Sequence, residues 1–165
     1  MAGLPPWFVE RQLRAAEATG PKPRSANDRP GVALIGCGGQ GTRDAQNAAN
    51  WGDVVAVCDV DRKNAETAAA KLTVDGKAPA ICSDFRRVLE RSDVHAIVNG
   101  TPDHWHTLVN LGAVRAKKDV YSEKPLTLTI DEGRRLVQAV RRSGIVLQTG
   151  TQQRSSPRFR LACEL

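Results

Sequence analysis

Short runs of aliphatic and β-branched residues alternate with longer amphipathic stretches along the chain from Gly31 onward. The apolar runs predict strands at 32–36, 53–59, 80–83, 95–100, 119–123 and 145–150. The stretches between them predict helices at 40–50, 62–72, 85–91, 104–117 and 130–143. Apolar strands that alternate with helices are typical of a parallel sheet covered on both faces. The pattern therefore predicts an α/β fold with a doubly wound parallel sheet.

The two ends of the chain break this alternation. Residues 1–30 contain a helical stretch, WFVERQLRAAEA, followed by a linker rich in Pro, Lys, Ser and Asn. Residues 151–165 are predicted to leave the sheet, with Ser155 or Ser156 capping a helix that has Pro157 at its first position. We therefore expect an arm at 1–30, a sheet domain at 31–150 and the start of a further helix at 151–165.

Composition and charge narrow the class of protein. A chain of 165 residues with 41% hydrophobic and 25% charged residues is long enough for one core and is typical of globular proteins. It contains no apolar run of the length that crosses a bilayer, so we expect no membrane span. The net charge of +6 comes mainly from scattered arginines. With three Phe and one Tyr to stack on bases, we do not expect nucleic-acid binding.

The cysteines show neither CxxC nor metal-ligand spacing, so we expect no metal site from them. Cys37 and Cys58 are predicted to lie at neighbouring strand ends, where a disulfide is conceivable. Because such a bond would crowd the ligand site argued below, buried thiols are the favoured interpretation.

A glycine cluster follows the first predicted strand and opens the first helix. The sequence GCGGQG places Gly36, Gly38 and Gly41 in the GxGxxG spacing of dinucleotide-binding proteins. In that motif the first glycine permits a tight turn, the second admits a pyrophosphate and the third allows close packing of helix on strand. A flexible glycine turn is the simpler alternative. We expect the cofactor-contacting turn to comprise Gly36, Cys37, Gly38, Gly39, Gln40 and Gly41.

An acidic residue ends the second predicted strand. Asp59 stands where a carboxylate accepts the ribose hydroxyls of NAD and repels the 2′-phosphate of NADP, so NAD is favoured. Val60 is assigned to the same binding segment. Arg62 is close enough to meet a phosphate, which keeps NADP as the less favoured alternative. A strand-end turn residue is the simpler interpretation of Asp59.

The sequence TPDHWH follows the fourth predicted strand, at the end of the sheet where ligands bind in such folds. We expect Thr101, Pro102, His104 and His106 to line the crevice near the nicotinamide, and Asp103 to cap the next helix. The two histidines have no further ligands at metal-binding spacing, so no metal is expected.

Lys124 follows the fifth predicted strand and reaches the same rim of the sheet. There a lysine can donate a hydrogen bond to a substrate oxygen, stabilise a developing alkoxide, or transfer a proton if its pKa is lowered. A solvated surface lysine is the equally simple alternative.

Taken together, these residues resemble the Gfo/Idh/MocA family of NAD(P)-dependent oxidoreductases, which act mostly on sugars and cyclitols. The resemblance runs from about Gly31 to the end of the chain, through GVALIGCGGQGT, CDVD, TPDHWH, EKPLTLTIDEG and GTQQRSSPRFR. It implies a Rossmann fold at 31–150, and it assigns to Lys124 contact with the substrate hydroxyl and the cofactor. It places Glu123 beside the nicotinamide, and it makes Gln152 and Gln153 the approach to a substrate domain.

Family members carry a second α+β domain that supplies a proton-accepting histidine, and none of the three histidines of this chain maps to it. The resemblance therefore implies the cofactor domain of a larger enzyme, with hydride transfer between a sugar or cyclitol CH–OH and the nicotinamide. Within the same fold, an NAD-dependent redox-neutral glycosidase or a non-catalytic dinucleotide-binding module are the alternatives.

The resemblance also bears on partners and compartment. It implies a small sugar-like substrate. Apolar surface that a second domain would cover leads us to expect a homo-oligomer. The chain as given carries no signal peptide. Similar bacterial members are often exported by the twin-arginine route, so both cytoplasm and periplasm stay open.

Overall fold

A six-stranded parallel sheet forms the centre of the computed structural model, which describes residues 29–165. The strands run in the order β3-β2-β1-β4-β5-β6, and every neighbouring pair is parallel. They comprise β1 (Gly31–Ile35), β2 (Asp53–Cys58), β3 (Ala80–Cys82), β4 (Ala96–Asn99), β5 (Asp119–Glu123) and β6 (Leu147–Gly150). The predicted doubly wound parallel sheet is confirmed. The helical stretch predicted within 1–30 lies outside the described residues.

Helices cover both faces of this sheet. They are α1 (Gly39–Ala48), α2 (Arg62–Leu72), α3 (Phe85–Leu89), α4 (Asp103–Arg115), α5 (Ile130–Ser143) and α6 (Pro157–Glu164). Alternate residues of β1 supply the two cores because successive side chains of a strand point to opposite faces. Leu34 packs with Ala45 of α1 and the buried alanines of α2. Ile35 packs with residues of α3 and α4, such as Val88 and Val109.

The ends of the helices follow local capping chemistry. Thr129 and Glu132 form a reciprocal capping box at the start of α5, and Gly144 ends that helix in the left-handed conformation. Ser156 occupies the capping position before Pro157 of α6, as the sequence predicts, but its side chain makes no capping hydrogen bond. Asp103 was expected to cap α4, but it lies inside the first turn, and Pro102 occupies the capping position without a side-chain hydrogen bond.

Between residues 29 and 165, no helix is long and apolar enough to span a bilayer. The four cysteines are free thiols, so the alternative of a Cys37–Cys58 disulfide is wrong. The thiol of Cys37 instead donates to the carbonyl oxygen of Cys58 at 3.4 Å. Burial raises the pKa of both thiols to about 12, which keeps them protonated and unreactive.

Candidate dinucleotide-binding site

The loops that follow β1, β2, β4 and β5 meet at one edge of the sheet. Strands β1 and β4 are neighbours although the chain leaves them toward opposite ends of the sheet, and such a switch point opens a crevice. The predicted site residues all follow the carboxyl ends of strands. They are residues 36–41 after β1; Asp59, Val60 and Arg62 after β2; Thr101, Pro102, His104 and His106 after β4; Glu123 and Lys124 at the end of β5; and Gln152 after β6.

The glycine turn is shaped by two close backbone approaches. Gly36 has a φ of 89°, and a Cβ placed there would lie 2.5 Å from the backbone nitrogen of Thr101. A Cβ on Gly41 would collide with the carbonyl oxygen of Gly36 and approach Gly100. Both positions therefore require glycine, one for its backbone conformation and both for lack of space. These contacts bring the start of α1 tightly against β1 and β4.

Gly38 differs from those two glycines because its surroundings are open. It precedes the first turn of α1 with a φ of −68°, a conformation that any residue adopts, and a Cβ there would meet nothing within 4 Å. The first turn of α1 has no side-chain cap and no acidic residue. Its N–H groups and the positive end of the helix dipole therefore face open space, which fits the pyrophosphate of a dinucleotide.

Asp59 stands beside this turn, half-buried at the end of β2. Its Oδ2 accepts from the backbone nitrogen of Cys37 at 2.8 Å, and its Oδ1 accepts from that of Asp61 at 2.9 Å. These bonds fix the carboxylate at the rim and leave lone pairs on both oxygens for further donors. The two neighbouring hydroxyl groups of a ribose are two such donors. Asp59 therefore fits the ribose of a dinucleotide, as the start of α1 fits the pyrophosphate.

Cys37 was predicted to contact the cofactor, and the contacts that the structure gives it are with the protein. Its side chain is buried in the core against β1 and β2, and its N–H group is occupied by Asp59. The residue therefore ties the glycine turn to β2. The GxGxxG spacing does not reveal this because the intervening positions carry no signal of which N–H groups face outward.

Val60 and Arg62, which follow Asp59 in the chain, are both solvent-exposed. The side chain of Val60 is 92% exposed at the rim, an unusual position for an apolar residue. The guanidinium of Arg62, the first residue of α2, is 2.7 Å from the carboxylate of Glu66, one turn further along that helix.

A buried polar network beneath the second half of the crevice was missed by the sequence analysis. Asn99 donates to the side chain of Asn110 at 2.8 Å and accepts from the hydroxyl of Thr101 at 2.7 Å. Asn110 donates in turn to the hydroxyl of Ser122 in β5 at 3.0 Å. The network holds the loop after β4 against the end of β5. Polar residues within the apolar runs AIVN and LVNLG were its only sequence signal.

His106 belongs to this support and not to the ligand surface. Its side chain is 1% exposed, and its ring nitrogens lie 2.5 Å from the carbonyl oxygen of Pro125 and 2.7 Å from that of Thr101. His106 was predicted to contact the cofactor, and in the structure both ring nitrogens lie against backbone carbonyl oxygens. The buried ring joins the β4 loop to the segment after Lys124. His104, by contrast, is exposed on the first turn of α4.

The end of β5 presents two neighbouring residues of opposite character. Glu123 is buried, and its Oε2 accepts from the backbone nitrogen of Lys124 at 3.2 Å. Lys124 is exposed and is followed by a cis peptide bond to Pro125. Gln152 is exposed in a short 3-10 helix after β6. Among residues 29–165, no three His, Cys, Asp or Glu residues are grouped to hold a metal ion.

Comparison with known proteins identifies the class of this fold. The family model described as the Gfo/Idh/MocA oxidoreductase family, NAD-binding Rossmann fold, matches residues 31–151. An inositol 2-dehydrogenase of Klebsiella pneumoniae is 34% identical over 116 residues, which are 68% of this chain and 34% of that protein. A 1,5-anhydro-D-fructose reductase of Ensifer adhaerens is 33% identical over 112 residues, with 68% and 32% covered.

Solved structures show the same fold. A scyllo-inositol dehydrogenase from Lactobacillus casei, bound to NAD(H) and scyllo-inositol, superposes with a TM-score of 0.74 at 24% identity, over 83% of this chain and 40% of that one. A 3-ketoreductase from Actinomadura kijaniata, in complex with NADP and TDP-benzene, gives 0.72 at 26% identity, over 82% and 42%.

The chain thus spans about a third of the length of these curated relatives. The matched residues begin at β1 and end just after β6, so they take in the whole sheet and the glycine turn. On this match, the chain belongs to the Gfo/Idh/MocA oxidoreductase family, of which it carries the NAD-binding Rossmann fold.

Proposed function

We propose that the chain binds NAD(H) across the carboxyl ends of its strands, as the cofactor domain of a dehydrogenase acting on a sugar or cyclitol. One observation carries this proposal: the uncapped amino end of α1, open at Gly38, lies beside the fixed carboxylate of Asp59. The first feature suits a pyrophosphate and the second a ribose diol. In the proposed pose the exposed side chain of Val60 lies along the adenine.

The nicotinamide is assigned to the other half of the crevice. There Thr101 and Pro102 line the loop after β4, with His104 and Gln152 at its rim. A bound nicotinamide would exchange a hydride with the carbinol carbon of the substrate. Lys124, at the end of β5, would donate a hydrogen bond from its ammonium group to the substrate oxygen and stabilise the negative charge that develops there. The hydroxyl proton would pass to a base supplied by a substrate domain.

We further propose an arm at 1–30, the dinucleotide-binding domain at 31–150, and an approach to the substrate domain at 151–165. The length of the relatives supports this division. So do the apolar side chains of α6, among which Phe159 and Leu161 are more than half exposed. Exposed apolar surface also supports self-association into a homo-oligomer. Cytoplasm and periplasm remain the two predicted compartments.

Charge at the end of β2 favours NAD over NADP in this proposal. Asp59 and Asp61 place two carboxylates where NADP carries its 2′-phosphate, and the nearby guanidinium of Arg62 is paired with Glu66. A phosphate there would meet like charge and would compete with Glu66 for the arginine. This supports a preference for NAD(H).

Replacing Asp59 with alanine tests this assignment. We expect the affinity for NADH to fall by about tenfold or more, because charge-assisted hydrogen bonds to the ribose are lost. The affinity for NADPH should fall less or rise, because the repulsion of its 2′-phosphate is relieved. Calorimetric titration of the chain with each cofactor measures both constants.

The matched control for this change is Asp59→Asn, which removes the charge but keeps an acceptor for the backbone nitrogen of Cys37. It should shift the preference toward NADPH while the glycine turn stays in place. An unchanged ratio of the two affinities in both variants would refute the assignment of Asp59 to the ribose.

A further inference from the structure

Two carboxyl groups meet without a hydrogen-bond donor between α1 and β5. The side chain of Glu123 is 5% exposed, and Asp44 of α1 is half-buried beside it. Glu123 Oε1 and Asp44 Oδ2 are both shielded from solvent, and neither has a hydrogen-bond partner among residues 29–165. The remaining oxygens are bonded, Oε2 of Glu123 to the backbone nitrogen of Lys124 and Oδ1 of Asp44 to the amide of Gln40.

The backbone of β6 closes the far side of this pair. A Cβ on Gly150 would lie 2.5 Å from Glu123 Oε1 and 3.0 Å from the hydroxyl oxygen of Tyr121. No side chain therefore fits between that glycine and the carboxyl group. The titratable and charged groups that face the pair are Tyr121 from β5 and Arg43 from α1. Burial, followed by the charges of Asp44 and Glu123, raises the pKa of the Tyr121 phenol.

Two ionised carboxylates in this position would repel each other, and both orphaned oxygens would stay without a donor. A single proton removes both costs, since a carboxylic acid that donates to a neighbouring carboxylate forms a short, strong hydrogen bond. The pKa of Asp44 is raised from 3.8 to about 6, mainly by burial and secondly by the charge of Glu123. The proton is therefore held at pH values where an ordinary aspartate has lost it.

We propose that in mildly acidic solution Asp44 and Glu123 share one proton in an O–H···O bond that fastens α1 to the end of β5. Helix α1 follows from the glycine turn, and β5 ends at Glu123, directly before Lys124, so the bond joins the two halves of the crevice. Asp44 is thus a positioning residue that touches neither substrate nor cofactor. The bond itself stands apart from the proposed function, whereas its effect on the alignment of Lys124 rests on that function.

The direction of the pH dependence follows from the raised pKa. A carboxyl group whose folded-state pKa exceeds its unfolded value adds stability at low pH, and this contribution is lost as pH rises through the folded-state pKa. For Asp44 the loss falls between about pH 4 and pH 6, and it is complete above that window. Above this window Asp44 is ionised, and its unpartnered oxygen lies near the unpartnered oxygen of Glu123 without a proton between them.

Asp44→Asn tests the shared proton because an asparagine amide donates to Glu123 at every pH. The midpoint of thermal unfolding should be measured from pH 4 to pH 8 for both proteins. We expect the midpoint of the wild type to fall relative to that of the variant by about 3 °C or more across this range. The matched control is Asp75→Asn, the same change at an exposed turn, and its profile should run parallel to the wild type.

Parallel profiles for the wild type and Asp44→Asn would overturn the proposal, as would an equal effect of Asp75→Asn. Glu123→Gln is the second variant, and it too should flatten the profile, because its amide donates to Asp44. NADH affinity measured over the same range separates the two proposals. If neither the wild type nor any variant binds NADH, the proposed function fails, while the unfolding profiles still decide the shared proton.

Discussion

Replacing Gly38 with valine is expected to lower the affinity for NADH by about a hundredfold or more without changing the unfolding midpoint. The new side chain would enter the open space in front of the first turn of α1, where a Cβ has no neighbour within 4 Å. It would block phosphate oxygens from the N–H groups, and each such charge-assisted bond contributes about 1.5–3 kcal/mol. The fold should not be affected because the backbone conformation of Gly38 suits any residue.

Gly41→Ala provides the contrasting control three residues further along. Its Cβ would collide with the carbonyl oxygen of Gly36, so helix α1 would have to move away from β1. We expect a clearly lower unfolding midpoint, with a loss of about 1–3 kcal/mol from overpacking. Calorimetric titration gives the NADH affinity of each variant, and thermal unfolding gives its midpoint. Wild-type affinity in Gly38→Val would place the dinucleotide elsewhere.

Replacing Lys124 with alanine is expected to lower kcat by about 10²–10⁴-fold while leaving cofactor affinity within about twofold. In the proposed function the ammonium group stabilises charge that appears on the substrate oxygen only as the hydride leaves, so its loss would act on the transition state. This experiment uses the chain together with the substrate domain that we propose, with turnover first located by screening inositols and other cyclic polyols. Absorbance of NADH reports the rate.

Lys71→Ala is the matched control for this prediction, because it removes the same charge from the exposed far end of α2. It should not change kcat or cofactor affinity. If Lys124→Ala leaves both turnover and binding unchanged, the lysine has no chemical role. A full-length protein that binds NADH without oxidising any polyol would support the non-catalytic module instead.

The sequence alone was enough to predict the sheet because local and long-range signals agree in it. The apolar runs at 32–36 and 119–123 fall on β1 and β5, and the glycine spacing falls on the strand–turn–helix that it requires. Glycine and strand signals are local: each reports a backbone conformation or a periodicity within a few residues. For this reason the predicted ends of the strands differ from the observed ends by only one or two residues.

The support beneath the crevice was not predictable in the same way. Whether His106 faces a ligand or two backbone carbonyls depends on where residues 101 and 125 come to lie, which the tertiary fold decides. The meeting of Asp44 with Glu123 likewise joins residues from α1 and β5, far apart in the chain. Cys37 was assigned to the cofactor contacts by its place in the glycine motif. Its hydrogen bond to the carboxylate of Asp59 joins two strands and leaves no signal in that motif.

The most direct test of the central claim is a titration of the ¹⁵N-labelled chain with NADH, followed by amide signals in two-dimensional NMR. The signals of Gly38, Gly39, Gln40 and Asp61 are expected to shift saturably, while those of Asp75 and Gly76, in the turn before β3, stay in place. This result would seat the pyrophosphate on the amino end of α1. No saturable shift at millimolar NADH, or shifts confined to other loops, would contradict the account.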